Sequence, residues 1–350
     1  ETFVSNRVRH AIRTHIISYV RPDGTFAARK MECFSNQGAY ASHGHGIAAK
    51  GMGAFPQLYP CDNVQCDAYT VFTNKPVAGA MRGYGIPQAM FAGESHIEDV
   101  ARALHMDSLA FRRKNMMPVG YVDGFSKNEN YSDSLNQCIE KGMEYIGYER
   151  KQAEYAKESG PVRHGVGMAI FWYNTAVWPI SLESSSCRMV LNQDGSVQLQ
   201  MGETEIGQGA DTAFAQMAAE TLGIPFKDVH VISTQDTDIT PFGLGAYASR
   251  QTYIGGFSIK QTALMMKERI LKYAYELTRM PPFELDIVDG NIIRKNDARV
   301  LMSLGALATE ALYSLTHSEH ITAESTYQIK SNAYSCLLYT SPSPRDKRQS

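Results

Sequence analysis

The sequence has no apolar run near the roughly 20 residues that a membrane-crossing helix needs, and "ETFVSNRVRH" lacks the basic-then-apolar order of a leader peptide. It also lacks a charge bias. Thirty-four Lys and Arg stand against 36 Asp and Glu, a formal net charge of −2. The basic residues are scattered, so nothing draws the chain to nucleic acid or to an acidic membrane. A soluble, cytoplasmic protein is the expectation. Cysteine is sparse too, six in 350 residues at 33, 61, 66, 138, 187 and 336, too few for a disulfide scaffold. Cys61 and Cys66 open with the spacing of a plant-type ferredoxin, but the next ligand position holds Tyr69. Reduced, structural thiols are expected. His43 and His45 have no third His and no acid or thiol at ligand spacing nearby, which weighs against a metal held by side chains. The Gly-Lys-Ser/Thr ending of a phosphate loop, the dinucleotide-binding glycine fingerprint and a nucleophile elbow are all missing.

What the chain does have is a large apolar fraction, 43% hydrophobic, and 28 glycines gathered in a few loops. That length and composition predict a globular protein of two or more domains. Residues 14–36 read as a hairpin around Pro22-Asp23-Gly24, and 187–201 as a second around Gln193-Asp194-Gly195. From Pro87, Met90, Ile97, Ala101 and Leu104 recur on one helical face. Residues 210–222 form another helix, closed by Gly223 and Pro225. A third runs from about Gly256 to Leu277. Each of these helices follows a glycine loop, the arrangement in which free N–H groups and the helix dipole favour an anion or acceptor. The polar stretch "QAEYAKESGPVRHG" marks a boundary near residue 160, after which "VGMAIFWY" reads as a new strand. The last fifteen residues, "CLLYTSPSPRDKRQS", change composition abruptly and read as a non-native, adapter-derived tail.

Three loops carry the chemistry. In "GETEIGQGAD", Glu203 and Glu205 are either a catalytic acid pair or, more simply, turn and cap acids; Gln208 between two glycines can donate and accept while its backbone approaches a ligand. In "AGAMRGYGIPQ", Arg82 and Tyr84 flank Gly83, a planar cation and a ring suited to an oxyanion and a flat heterocycle, or else an ordinary turn. The third loop is "TPFGLGAYASRQTYIGG".

In this order and spacing, "TNKPVAGAMRGYGIPQAMF", "GETEIGQGADTAFAQMAAETLGIP" and "TPFGLGAYASRQTYIGG" resemble the molybdenum-binding (large) subunit of the xanthine dehydrogenase, or molybdenum hydroxylase, family over about residues 1–335. The resemblance implies an α+β molybdopterin-binding region of two subdomains with the cofactor between them. Residues 1–158 would belong to the first, 161–335 to the second, and 336–350 to the tail. Arg82 would lie beside the molybdenum and stabilise charge, and Tyr84 would pack on the substrate ring. Ala248 would bring its amide to a molybdenum ligand, so Arg82 and Ala248 neighbour the metal without coordinating it. Gly207, Gln208 and Gly209 would bond the pterin and metal ligands, with Ser249, Arg250 and Gln251 following the pterin and its phosphate. Trp178 would be a second substrate aromatic. Lys50 falls where purine enzymes of the mammalian type carry an Arg, whose bidentate fork a Lys lacks.

The cofactor implied is molybdenum-molybdopterin in its cytosine dinucleotide form, with [2Fe-2S] clusters and FAD on partner subunits of a heterotrimeric dehydrogenase that itself dimerises. The reaction implied is oxidative hydroxylation of a purine such as xanthine or hypoxanthine, or of a related N-heterocycle. Aldehyde oxidoreductase, aromatic-CoA reductase and an inactive cofactor-binding module are the alternatives. Carbon monoxide oxidation is disfavoured, because the family's Cys is absent from "GAMRGYG". The general base implied is a Glu near the end of the complete subunit, outside this chain, and the family's upstream "GGGFGG"-type loop would precede residue 1. The sequence thus reads as a fragment, inactive alone.

Overall fold

The computed structural model describes residues 5–124, 129–173, 175–177, 183–232 and 236–329. Trp178 and the segment 336–350 lie outside them. The described residues up to 173 form one compact unit and those from 175 onward a second.

The first unit begins with the expected hairpin. Strand β1 (Ile12–Val20) pairs antiparallel with β2 (Phe26–Gly38), and Gly24 turns the chain at φ 85°. Helix α1 (Gly44–Leu58) then crosses to β3 (Val64–Phe72), which lies parallel to β2. Helix α2 (Ile86–Ala103) opens with Pro87 in its first turn; it is followed by α3 (Ser108–Asn115), α4 (Ser134–Ile146) and α5 (Tyr148–Tyr155). Met90, Ile97 and Ala101 of α2 enter a core with Phe26, Leu58 and Phe111, as their spacing predicts. Leu104 does not. It caps the helix and stays exposed, because the chain leaves the helical path there.

Residues 166–173 form no strand. Ile170 and Trp172 nonetheless sit in the first unit's core, where Ile170 N–H donates to Glu94 Oε2 (2.9 Å) and Trp172 Nε1 donates to Ala54 O (3.2 Å). The apolar run that suggested a new domain is an extended strap. Two hydrogen bonds and two buried side chains tie it to the first unit, beyond the division expected at 158–161.

The second unit is built on a four-stranded sheet. Strands β4 (Ser184–Leu191) and β5 (Val197–Met201) form the other expected hairpin, helix α6 (Ala210–Leu222) follows, and β6 (Val229–Ile232) runs parallel to β5. Helix α7 (Gly256–Thr278) is preceded by a π-helical turn, Gln251–Gly255. A small antiparallel sheet of β7 (Leu285–Val288), β8 (Asn291–Arg294) and β9 (Arg299–Ser303) leads into α8 (Leu304–Tyr313). The chain then returns along β4 as β10 (Thr322–Gln328). The sheet order is β10-β4-β5-β6. Alternate residues Cys187, Met189 and Leu191 of β4, and Val197, Leu199 and Met201 of β5, face Phe214 and Leu222 of α6 and Ile259, Ala263, Met266 and Ile270 of α7. Periods of two and 3.6 thus meet in one core. The α+β class expected from the resemblance is the one observed.

Five cysteines are free among the described residues: Cys33, Cys61, Cys66, Cys138 and Cys187. Burial pushes the Cys187 thiol up to about 12, so it is an unreactive core group. Among the described residues no helix is long and apolar enough to cross a membrane.

Candidate functional site

The loop at 81–86 owes its shape to three successive left-handed residues, Gly83 (φ 96°), Tyr84 (48°) and Gly85 (92°), just before α2. Glycine takes this conformation freely, but a tyrosine there is strained by about 1–2 kcal/mol. Tyr84 N–H closes onto Met81 O at 2.9 Å and Ile86 N–H onto Gly83 O at 3.0 Å. The loop rests on α1. A Cβ at Gly85 would lie 2.3 Å from Ile47 O, and one at Gly51 would lie 2.9 Å from Gly85 O. Glycine-rich α1 is therefore smooth where the loop crosses it.

Along one face of α1, His43, Gly46 and Lys50 follow at i, i+3 and i+7. Tyr84 lies over its first turn: His43 Nδ1 is 2.8 Å from the Tyr84 hydroxyl, the two rings meet edge to face, and a Cβ at Gly46 would come within 3.0 Å of that hydroxyl. Lys50 is half-buried with no ion-pair or hydrogen-bond partner among the described residues. Burial pushes its ammonium down to about 8. Arg82 is exposed; its carbonyl accepts from Arg9 Nη2 (2.7 Å), while its guanidinium has no partner among the described residues. Three of the expected residues, Lys50, Arg82 and Tyr84, thus belong to one helix–loop pair. His45 joins no metal-ligating group. Among the described residues no cluster of three or more His, Cys, Asp or Glu is placed to hold a metal ion.

In the second unit the glycine loop is held by its own side chains. Glu205 takes N–H bonds from Gly207 (2.6 Å), Gly209 (3.2 Å) and Asp211 (3.2 Å) at the start of α6. Against a partial desolvation penalty, these amides hold its carboxyl below the usual range. The anion-favouring amides inferred from sequence are real, but those of Gly207 and Gly209 serve Glu205. Gln208 bridges to the third loop. Its Oε1 accepts from Ile206 N–H (2.7 Å), and its Nε2 donates to Thr204 O (2.8 Å) and to Gln251 Oε1; Gln251 Nε2 also donates to Thr204 O (2.8 Å). Both amides, expected at the cofactor, are brought together, with their side chains bonded to each other.

Arg250 anchors this loop by its side chain. The resemblance puts it along the pterin and its phosphate, yet its side chain is fully buried. Its Nε donates to Glu183 Oε2 (2.7 Å), its Nη1 to Glu203 Oε1 (2.7 Å) and Oε2 (2.8 Å), and its Nη2 to Ser184 O. Burial opposes the charge, but the two carboxylates more than offset that and hold the guanidinium protonated. A cation spent on two buried acids has none left for a phosphate. Glu203, half of the possible acid pair, is the same brace seen from the other side. Glu183 went unrecognised in the sequence, where nothing local marks an acid that meets its partner 67 residues on.

The brace sits beside a second strained run, Ala248 (φ 48°) and Ser249 (φ 53°), after Gly245 (φ 88°). Ala176 N–H donates to Ala248 O at 2.7 Å, and Arg250 N–H to Tyr247 O at 3.1 Å. The Ala248 amide has no acceptor among the described residues.

Two stretches, residues 1–116 and 141–341, match the molybdopterin cofactor-binding domain. The chain is 41% identical over 341 residues to the putative xanthine dehydrogenase molybdenum-binding subunit XdhA of Escherichia coli (strain K12), spanning 97% of this chain and 45% of that protein. It is 30% identical over 315 residues to the probable hypoxanthine oxidase XdhD of the same organism, 88% of this chain and 32% of that protein. The chain therefore spans less than half the length of these relatives. The fold matches that of quinoline 2-oxidoreductase from Pseudomonas putida 86 with a TM-score of 0.77 at 23% identity, over 94% of this chain and 44% of that one. The two matched domains and the extent of the 41% identity place this chain in the xanthine dehydrogenase family, among its molybdenum-binding subunits.

Proposed function

We propose that the chain is the molybdopterin-holding part of a molybdenum hydroxylase that oxidatively hydroxylates a purine such as xanthine or hypoxanthine, or a related N-heterocycle. Electrons would leave through iron–sulfur and FAD partner subunits. The names of the relatives support the purine reading, and one observation supports the ligand-holding role of these loops. Tyr84, Ala248 and Ser249, assigned to cofactor or substrate from their motifs, all sit at positive φ without being glycine, in loops that reach the surface. Backbone strain of this kind persists where surrounding structure enforces it, and it gathers at ligand sites.

The residues present fit a molybdopterin. A Cβ at Gly209 would meet no atom within 4 Å, so the loop has open space before it. The unengaged Ala248 amide offers a donor next to a methyl group, small enough for close approach. Gly207, Gln208, Gly209, Ala248, Ser249 and Gln251 would hold the pterin, in its cytosine dinucleotide form, mainly through backbone. Arg250 fixes the loop they share. When bound, the molybdenum centre supplies the two-electron oxidation and the oxygen for hydroxylation. Arg82 would stabilise negative charge gathering on the heterocycle, a role suited to an unpaired guanidinium. Tyr84 and Trp178 would pack against the substrate ring, and Lys50 would steady an electron-rich edge. The general base would be a Glu contributed from outside these residues.

Replacing Arg82 by Ala or Lys in the full-length, metal-loaded subunit with its partners tests this. The expected result is a loss of about 100-fold or more in kcat for xanthine, the scale of one lost charge-stabilising group, with molybdenum content unchanged. Unchanged turnover would remove the role given to Arg82.

A further inference from the structure

We propose that His43 is a positioning residue for substrate selection: its Nδ1–H donates to the Tyr84 oxygen, freeing the phenolic O–H to donate, beside the Lys50 ammonium, to an exocyclic oxygen of an oxo-substituted N-heterocycle. The proposal rests on the reading of Tyr84 and Lys50 as substrate-facing, and it names the ring class that those residues select.

The geometry that supports it lies within one helix and one loop. The His43–Tyr84 contact is 2.8 Å, with ring centroids 5.8 Å apart and planes at 89°. That edge-to-face placement lets the imidazole N–H point at the phenol oxygen rather than at its ring. Tyr84 is fixed from both sides, by its left-handed backbone between two glycines and by Gly46 beneath its hydroxyl. A ring needed only for stacking gains nothing from a hydroxyl whose position is set so closely. Burial raises the phenol above its usual value, so it remains a donor at neutral pH. A hydrogen bond accepted by the phenol oxygen polarises its O–H and makes it a stronger donor. Lys50 follows one turn beyond Gly46 on the same helix face, half-buried and without a partner among the described residues. Two donors on one face suit a carbonyl-type oxygen. A site built to hydrogen-bond a ring substituent discriminates against the ring that lacks it, because its donors are then left unmatched.

The test uses the full-length subunit, co-expressed with its partners and loaded with molybdenum, and compares xanthine with unsubstituted purine. His43→Phe keeps a ring and removes the donor, Tyr84→Phe removes the hydroxyl, and His43→Asn restores an N–H near the Nδ1 position. The expected result is a fall of about 3- to 10-fold in the xanthine-to-purine ratio of kcat/KM for each Phe variant, the range of one neutral hydrogen bond. The double variant should be no worse than either alone. His43→Asn should recover most of the ratio, and equilibrium titration with xanthine should show Kd following it. The inference is overturned by a ratio within twofold of wild type in His43→Phe, or by single effects that multiply in the double variant. Active enzyme with an unmoved ratio removes only the role of His43. A preparation with full molybdenum and pterin that turns over neither ring removes the underlying reading as well.

Discussion

The glycine loops of the two units look alike in sequence and work in opposite ways. Residues 81–86 are held by shape: Gly85 lies against Ile47 O, Gly51 lies under Gly85 O, and Arg82 keeps an uncommitted guanidinium. Residues 204–209 and 245–251 are held by charge and amides: Glu205, Gln208, Gln251 and Arg250 all bond within or between these two loops. The first loop leaves its charged side chain free among the described residues, and the other two spend theirs on holding the loops. A chain that must grip a large polar cofactor and also orient a flat substrate has reason to hold both kinds of loop.

The comparison breaks most severely at Arg250. Arg250→Met would leave the buried carboxylates of Glu183 and Glu203 without their cation, a loss of about 3–5 kcal/mol, read as a drop in denaturant midpoint. Gly85→Ala comes next. It combines φ 92° with a backbone contact at 2.3 Å, so its cost should exceed the ~1–2 kcal/mol of left-handed strain alone. Gly209→Ala sharpens the contrast, because φ is similar at 85° but nothing lies within 4 Å. Only the strain should appear there, and equal losses at the two glycines would contradict the distinction between a loop held by shape and one held by its side chains.

Smaller effects follow from titration. Glu205→Ala frees amides at the start of α6 and should cost about 1 kcal/mol at neutral pH. Because the folded carboxyl titrates below its ordinary 4.5, this stabilisation is complete above that value and lost as pH falls through the lowered one. Glu205→Gln should flatten that part of a stability–pH curve. Lys50 acts in the same sense but in an alkaline window, and least. Its folded value near 8 lies below the ordinary 10.5, so the unfolded chain binds more protons between them and stability rises with pH across that window. Lys50→Met should abolish the rise, measured as Tm at pH 7 and pH 10.

What could be read from the sequence was whatever local chemistry dictates. Helix 210–222 ends where Gly223 turns left-handed, at φ 83°, and both hairpins close at their Asp-Gly turns. Helix α1 was hidden because its glycines depress helix propensity; Gly44, Gly46 and Gly51 are explained by Gln37, Tyr84 and Gly85 packed against them, whereas a Cβ at Gly53 would meet nothing within 4 Å. The role of the Arg250 side chain was hidden for a related reason. A motif shows that an arginine belongs in the loop, but the carboxylates that take its charge are 47 and 67 residues away. The strap at 166–173 looks like a strand by composition, and only its contacts with Glu94 and Ala54 assign it to the first unit.

The central claim is that these loops hold a molybdenum–pterin cofactor. Its most direct test is molybdenum and pterin analysis of the full-length subunit, purified with its partners from a host that matures such enzymes. The account predicts about one molybdenum and one pterin per subunit, and loss of both in Gly209→Trp, which would fill the open space before the loop while α6 stays folded. A well-folded wild-type preparation without molybdenum and pterin would contradict it.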